Sequence, residues 1–172
     1  MMSQTADSNA SGALKTDRLP ITVRGKHKLE DELKRLIQVE RPAVIRAIEE
    51  ARAHGDISEN AEYDAAKERQ SMIEGRIGEI QGQLAGAEVV DPSSLKSDRV
   101  IFGASVDLVD TESDEAVTYQ IVGVDEADVK EGRISILSPI ARALIGRKVG
   151  DVVIVKSPKN DREYEITGLR FL

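Results

Sequence analysis

The sequence predicts a two-domain α+β chain, an antiparallel coiled-coil helical hairpin followed by a small antiparallel sheet with one short helix. Three observations carry this. Apolar residues recur with heptad spacing over two long segments that are separated by only a few loop residues. Asp91-Pro92-Ser93-Ser94 then interrupts the pattern. Beyond it the period changes to the alternation of half-buried strands. The boundaries that follow are a disordered extension over residues 1–18, a hairpin domain over 19–90 and a sheet domain over 91–172.

The extension is rich in Ser, Thr, Ala and Asn and has no apolar stretch of the signal-peptide kind, so it reads as a tail. Residues 26–53 read as the first helix. Leu33, Ile37, Glu40, Val44, Ala47 and Ala51 step by alternating fours and threes, a seam with one polar intruder. Pro42 lies inside it, where a proline removes one backbone hydrogen bond and kinks or breaks a helix. The seam read this way keeps its phase on both sides of Pro42, which favours one kinked helix over two. Residues 59–88 read as the second helix, with Tyr63, Ala66, Gln70, Ile73, Ile77, Ile80, Leu84 and Ala87 along its seam. Two such helices with a short connection run antiparallel and pack seam to seam. At 1.5 Å per residue the rod is about 42 Å long. Ala47, Ala51 and Ala66 keep its far end narrow.

In the second half, strands are expected over 99–110, 117–124, 133–137, 151–156 and 163–171. The polar run Thr111 to Glu115 reads as a hairpin loop. A short helix over Pro139–Ile145 has its proline in the tolerated first turn and Gly146 as its stop.

Composition excludes several functions. The 172-residue chain carries 24 Lys and Arg against 31 Asp and Glu, a net charge of −7. The hairpin domain is −3 and the sheet domain −4, so neither half is a basic module and no strong binding to naked nucleic acid is expected. Aromatic residues are only 3% of the chain, too few for a base-stacking platform. The absence of cysteine removes disulfides, thiolate metal sites and a cysteine nucleophile. No run is long and apolar enough for a membrane span, and a cytoplasmic protein is expected. There is no glycine-rich phosphate loop after a strand and no Ser/His/Asp or Cys/His arrangement, so an autonomous active site is not indicated.

The chemistry gathers at the turn, His54-Gly55-Asp56-Ile57-Ser58-Glu59-Asn60-Ala61-Glu62-Tyr63-Asp64. Asp56 and Glu59 are three apart, and if the second helix begins there both carboxylates project from its end. Such oxygen ligands suit Mg²⁺, which keeps waters and shares ligands with a phosphate. The same residues also read as a capping box, with Gly55 ending the first helix in the left-handed conformation. The readings are compatible for a cap that faces solvent. Glu62 and Asp64 complement the helix N-terminus, and His54 suits the negative end of the first helix. A metal role for His54 finds little support, because His27, the other histidine, lies at the far end of the rod. Arg52 and Lys67 flank the tip on opposite helices, as surface ion-pair partners or as contacts for a phosphate backbone.

The chain from about Leu19 to Leu172 closely resembles the bacterial GreA/GreB transcript cleavage factors. The resemblance rests on Gly55 to Tyr63, Glu74-Gly75-Arg76-Ile77, Val100-Ile101-Phe102-Gly103-Ala104, Asp125-Glu126-Ala127-Asp128 and Ser138 to Gly146. Ala65 to Gln70 and the acidic balance resemble the GreA branch more than the more basic GreB branch. The 18-residue extension departs from the common pattern. The resemblance implies a rod that enters the secondary channel of a backtracked bacterial RNA polymerase. Asp56 and Glu59 would help to hold a catalytic Mg²⁺ shared with the polymerase, with no metal bound tightly by the isolated protein. The polymerase would then cleave its own transcript, so the factor is not an enzyme by itself. Arg52 and Lys67 match the basic patch facing the displaced nascent RNA 3′ end. The second domain resembles an FKBP-like fold without implying isomerase activity. Ser138 and Pro139 match the loop that docks at the channel rim. Alternatives are a non-catalytic channel binder that inhibits polymerase, a coiled-coil adaptor or chaperone with an FKBP-like head, and a self-contained nuclease, for which the ligands are too few.

Overall fold

The structure is a computed structural model that describes residues 19–55 and 57–172, with the side chains of His54 and residues 57–60 outside the description. The expected tail, residues 1–18, also lies outside the described residues.

The chain enters through a three-residue strand, β1 (Pro20–Thr22), and turns directly into α1 (Val23–Arg35). Thr22 caps α1, its hydroxyl accepting the Gly25 N–H at 3.1 Å. The helix continues without a break through a π turn (Leu36–Glu40) into α2 (Arg41–His54). Gly55 ends it in the left-handed conformation, φ 66°. The return helix, α3 (Ile57–Gly86), has 30 residues and is about 45 Å long. Cross-hairpin contacts pair Glu32 with Arg76, Arg41 with Glu74 and Arg52 with Tyr63. One number falls as the other rises, so the helices are antiparallel.

The π turn corrects the expected seam. Pro42 has no N–H to donate, and its ring would clash with the Gln38 carbonyl in an unbroken α-helix. The Arg41 N–H instead reaches the Leu36 carbonyl, five residues back. That inserts one residue. Leu29 and Leu36 are buried one heptad apart, but the next buried position is Val44, one residue late, followed by Ile48 and Ala51. Leu33 and Ile37 pack beside this seam rather than within it. On α3 the expected stripe holds, with Ile73, Ile77 and Ile80 buried and Tyr63, Ala66, Gln70 and Leu84 half-buried, while Ala87, also half-buried, lies just past the end of the helix at Gly86.

Two bidentate ion pairs pin the helices on either side of the slip. Arg41 donates to both oxygens of Glu74 at 2.6 and 2.8 Å. Arg76 donates to both of Glu32 at 2.7 and 2.9 Å. Glu74, Arg76 and Ile77 therefore fix the register and the core of the rod. Hydrogen bonding from Arg76 holds the Glu32 carboxyl below its usual range, and Arg41 does the same for Glu74. A depressed folded-state value stabilises the fold at neutral pH and is lost as pH falls through it. Arg76→Gln should therefore flatten the acid limb of a midpoint-against-pH profile. The change should be small, because side chains one-third exposed are screened by water.

Residues 88–90, expected to close the hairpin domain with 88 as the last helical residue, form strand β2 (Glu88–Val90), which pairs in parallel with β1. Three-residue strands are too short to show alternation, and their partners lie a whole hairpin apart. The Asp91-Pro92 segment is a 3₁₀ turn capped by Asp91, with Pro92 buried.

The sheet domain contains β3 (Ser105–Asp110), β4 (Ala116–Val122), β5 (Arg133–Ser135), β6 (Val152–Val155) and β7 (Arg162–Arg170), in the order β5-β4-β3-β7-β6. The expected antiparallel sheet is mixed, because β4 and β5 are parallel. Two 3₁₀ turns between them, Val124–Glu126 and Val129–Glu131, carry the chain back far enough for β5 to run with β4. Residues 99–104 are turn and bridge rather than strand, with Gly103 at φ 87°. The short helix α4 (Pro139–Leu144) lies where expected, with Ala141 and Leu144 buried against Val106, Leu108, Ile121, Ile134, Val153 and Ile166.

Candidate functional site

The narrow end of the hairpin follows from its small seam residues. Ala51 is buried and Ala47 and Ala66 are half-buried. Gly55 has nothing within 4 Å of the position a β-carbon would take, so its left-handed turn is free on both sides. Asp56 lies outside the described residues, and Glu59 is described only as part of α3. The described backbone on either side is Gly55 in the left-handed conformation and α3 from Ile57 onward. No group of three or more His, Asp or Glu side chains able to hold a metal occurs among the described residues. Two carboxylates with only oxygen donors fit a shared hard cation.

Arg52 and Lys67, both exposed, come from α2 and α3. The structure brings Arg52 to a partner that the sequence reading leaves out, Tyr63 on α3. The guanidinium lies 5.7 Å from the ring centroid, and its Nη2 donates to the phenol oxygen at 3.5 Å. The Arg52 hydrogen bond holds the Tyr63 phenol below its ordinary range, assisted by the charges of Arg52 and Lys67 and opposed by burial and Asp64. Lys67 donates to Gln70 at 3.3 Å, one turn along its own helix. The seam position of Tyr63 and the opposing basic residue were both legible. Their pairing required the hairpin register.

At the other end of the chain, Ser138 caps α4, its hydroxyl accepting the Ala141 N–H at 3.2 Å, and Pro139 occupies the first helical position. Leu137 and Pro139 are exposed beside it, so an apolar surface flanks this rigid cap. The tip and this loop are on different domains, and the joint between the domains is built around Glu126. This buried side chain accepts hydrogen bonds from the Thr22 N–H at 2.9 Å, the Thr22 hydroxyl and the Gly123 N–H at 2.9 Å. It comes from Asp125-Glu126-Ala127-Asp128, a stretch whose sequence alone names no partner.

Comparison with known proteins agrees across both halves. The family described as "Transcription elongation factor, N-terminal" matches residues 19–89, and "Transcription elongation factor, GreA/GreB, C-term" matches residues 95–170. The chain is 58% identical over 155 residues to the transcription elongation factor GreA of Alkalilimnicola ehrlichii, covering 90% of this chain and 98% of that one. It is 60% identical over 154 residues to GreA of Acidiphilium cryptum, with the same coverage. Among solved structures, GreA factor homolog 1 of Thermus thermophilus is 28% identical, with 89% and 99% of the two chains covered and a TM-score of 0.42. With both halves matched in order, the chain belongs to the GreA/GreB family of transcription elongation factors.

Proposed function

We propose that this chain docks on bacterial RNA polymerase through its sheet domain and delivers the hairpin tip to the polymerase active site, where it stimulates cleavage of a backtracked transcript. The observation that supports this best is the long antiparallel hairpin itself, which turns at Gly55 beside the Asp56–Glu59 stretch of the sequence and whose opposite end carries a separate domain. Such a tip reaches a recessed site that a globular surface cannot.

The roles divide by residue. Asp56 and Glu59 would hold a Mg²⁺ jointly with the polymerase, and Ser138 and Pro139 would contact the channel rim. Arg52 and Lys67 would face the phosphates of the displaced nascent RNA 3′ end. When bound between two proteins, such a metal supplies an activated water and charge neutralisation at a phosphodiester. The carboxylates orient that ion only when the rod is seated, since two solvated carboxylates bind Mg²⁺ weakly alone. On this reading the factor is not a nuclease without polymerase, and it acts in the bacterial cytoplasm. Among the described residues no helix is long and apolar enough to cross a membrane.

The test is transcript cleavage in a halted, backtracked polymerase complex with Mg²⁺, comparing wild type with Asp56→Asn/Glu59→Gln at saturating protein. Stimulation by wild type and its loss in the variant are expected. Equal cleavage with both would remove the carboxylates from the account.

A further inference from the structure

Tyr63 is out of character with its surroundings. At the narrow end the seam is built from Ala47, Ala51 and Ala66, yet position 63 carries a ring and a hydroxyl. The ring is half-buried on α3, and Arg52 reaches it across the hairpin from α2. Two interactions act on the same guanidinium. The face of the ring attracts its charge at 5.7 Å, and the phenol oxygen accepts from Nη2 at 3.5 Å. A ring attraction alone leaves the guanidinium free to slide, and a single long hydrogen bond leaves it free to pivot. Together they restrict both motions.

An exposed arginine ordinarily samples many rotamers and loses that freedom on meeting a phosphate. Held in advance, it loses less, and its planar fork stays available to a second acceptor because a guanidinium has five N–H donors. Lys67 lies one turn beyond Tyr63 on the same face of α3, so the tyrosine stands between two cations.

We propose that Tyr63 is a positioning residue: its ring and hydroxyl hold the Arg52 guanidinium ready for a phosphate of the displaced RNA 3′ segment. The proposal rests on the function given above and adds to it a side chain that touches neither metal nor reacting atoms. Tyr63 acts only through Arg52, so its effect belongs in the maximal rate of cleavage. The factor concentration giving half-maximal rate is governed by docking of the other domain.

The experiment titrates factor against a halted, backtracked complex and compares wild type, Arg52→Ala, Tyr63→Phe, Tyr63→Leu and the Arg52→Ala/Tyr63→Leu double variant. Tyr63→Leu should lower the maximal rate about two- to five-fold, the worth of one exposed cation–ring contact, without shifting the half-maximal concentration. Tyr63→Phe keeps the ring and should recover most of that loss. The double variant should be no slower than Arg52→Ala alone. Wild-type rates in Tyr63→Leu, or losses that multiply in the double variant, would overturn the proposal. If Tyr63→Leu weakens the hairpin, seen as a lowered thermal midpoint, Arg52→Ala/Tyr63→Phe against its two single variants gives the same comparison with the ring in place. The contact is also read without polymerase, since Arg52→Ala should move the titration of the Tyr63 phenol to higher pH; no change would likewise overturn the proposal. A wild type that fails to stimulate cleavage would sink the underlying function and the proposal with it. Active wild type with unaffected Tyr63→Leu would sink the proposal alone.

Discussion

Gly25→Ala should lower the thermal midpoint by roughly 5–15 °C, whereas the same substitution at Gly78 should raise it. A β-carbon on Gly25 would lie 2.2 Å from Cδ of Glu126 and 2.5 Å from its Cγ. Glu126 has nowhere to yield, because its carboxyl is buried and engaged by Thr22 and Gly123. Moving it forfeits hydrogen bonds to a charged group and leaves polar atoms unsatisfied where the two domains meet. Overpacking and lost hydrogen bonds together amount to about 2–5 kcal/mol. Gly78 lies on the exposed face of α3, with nothing within 4 Å of the position a β-carbon would take. Alanine there gains about 0.5–1 kcal/mol of helix propensity. Scanning calorimetry reads both changes. The hairpin core and the sheet core are separate clusters, so Gly25→Ala should also separate their melting into two transitions. A single transition at the wild-type midpoint would show that Gly25 and Glu126 do not form the joint described.

Losing the tip carboxylates should reduce stimulated cleavage by roughly 10- to 100-fold or more, a lower bound set by what changes to the groups behind a metal's ligands already cost. Asp56→Asn and Glu59→Gln keep size and one acceptor oxygen, remove the charge and turn the second oxygen into an NH2 donor. Asparagine still serves as a helix N-cap, so the start of α3 should survive the first substitution. A purely structural capping box therefore predicts little change from Asp56→Asn, whereas a ligand predicts most of the loss. Circular dichroism should show equal helix content in both proteins, which separates the two roles.

The sequence and the structure part company at identifiable places. Heptad spacing made both helices and their antiparallel pairing legible, because burial of an apolar stripe leaves few alternatives. It misplaced the first seam, since a proline-induced π turn shifts the phase by one residue without altering composition. Leu29, Leu36 and Ile48 were hidden by that slip. The parallel pairings of β1 with β2 and β4 with β5 depend on contacts between three-residue segments, where periodicity has no room to appear. Turn chemistry was read well at Gly55, Pro139 and Gly146, because each local conformation follows from its own residue. Glu126 could not be read as a joint, since Thr22 lies 104 residues away. Arg52 was visible as a cation beside the tip, and its hold on Tyr63 emerged only from the cross-hairpin register.

On the proposed function one domain binds and the other end of the rod supplies carboxylates. Competition between the two proteins for one complex separates docking from catalytic contribution. Asp56→Asn/Glu59→Gln is titrated into a backtracked polymerase complex that is cleaving its transcript with a fixed amount of wild-type factor. The expected result is that the variant, inactive itself, suppresses cleavage in proportion to its concentration and that added wild type restores it. A variant that leaves wild-type cleavage untouched, or that cleaves as well as wild type, would contradict it.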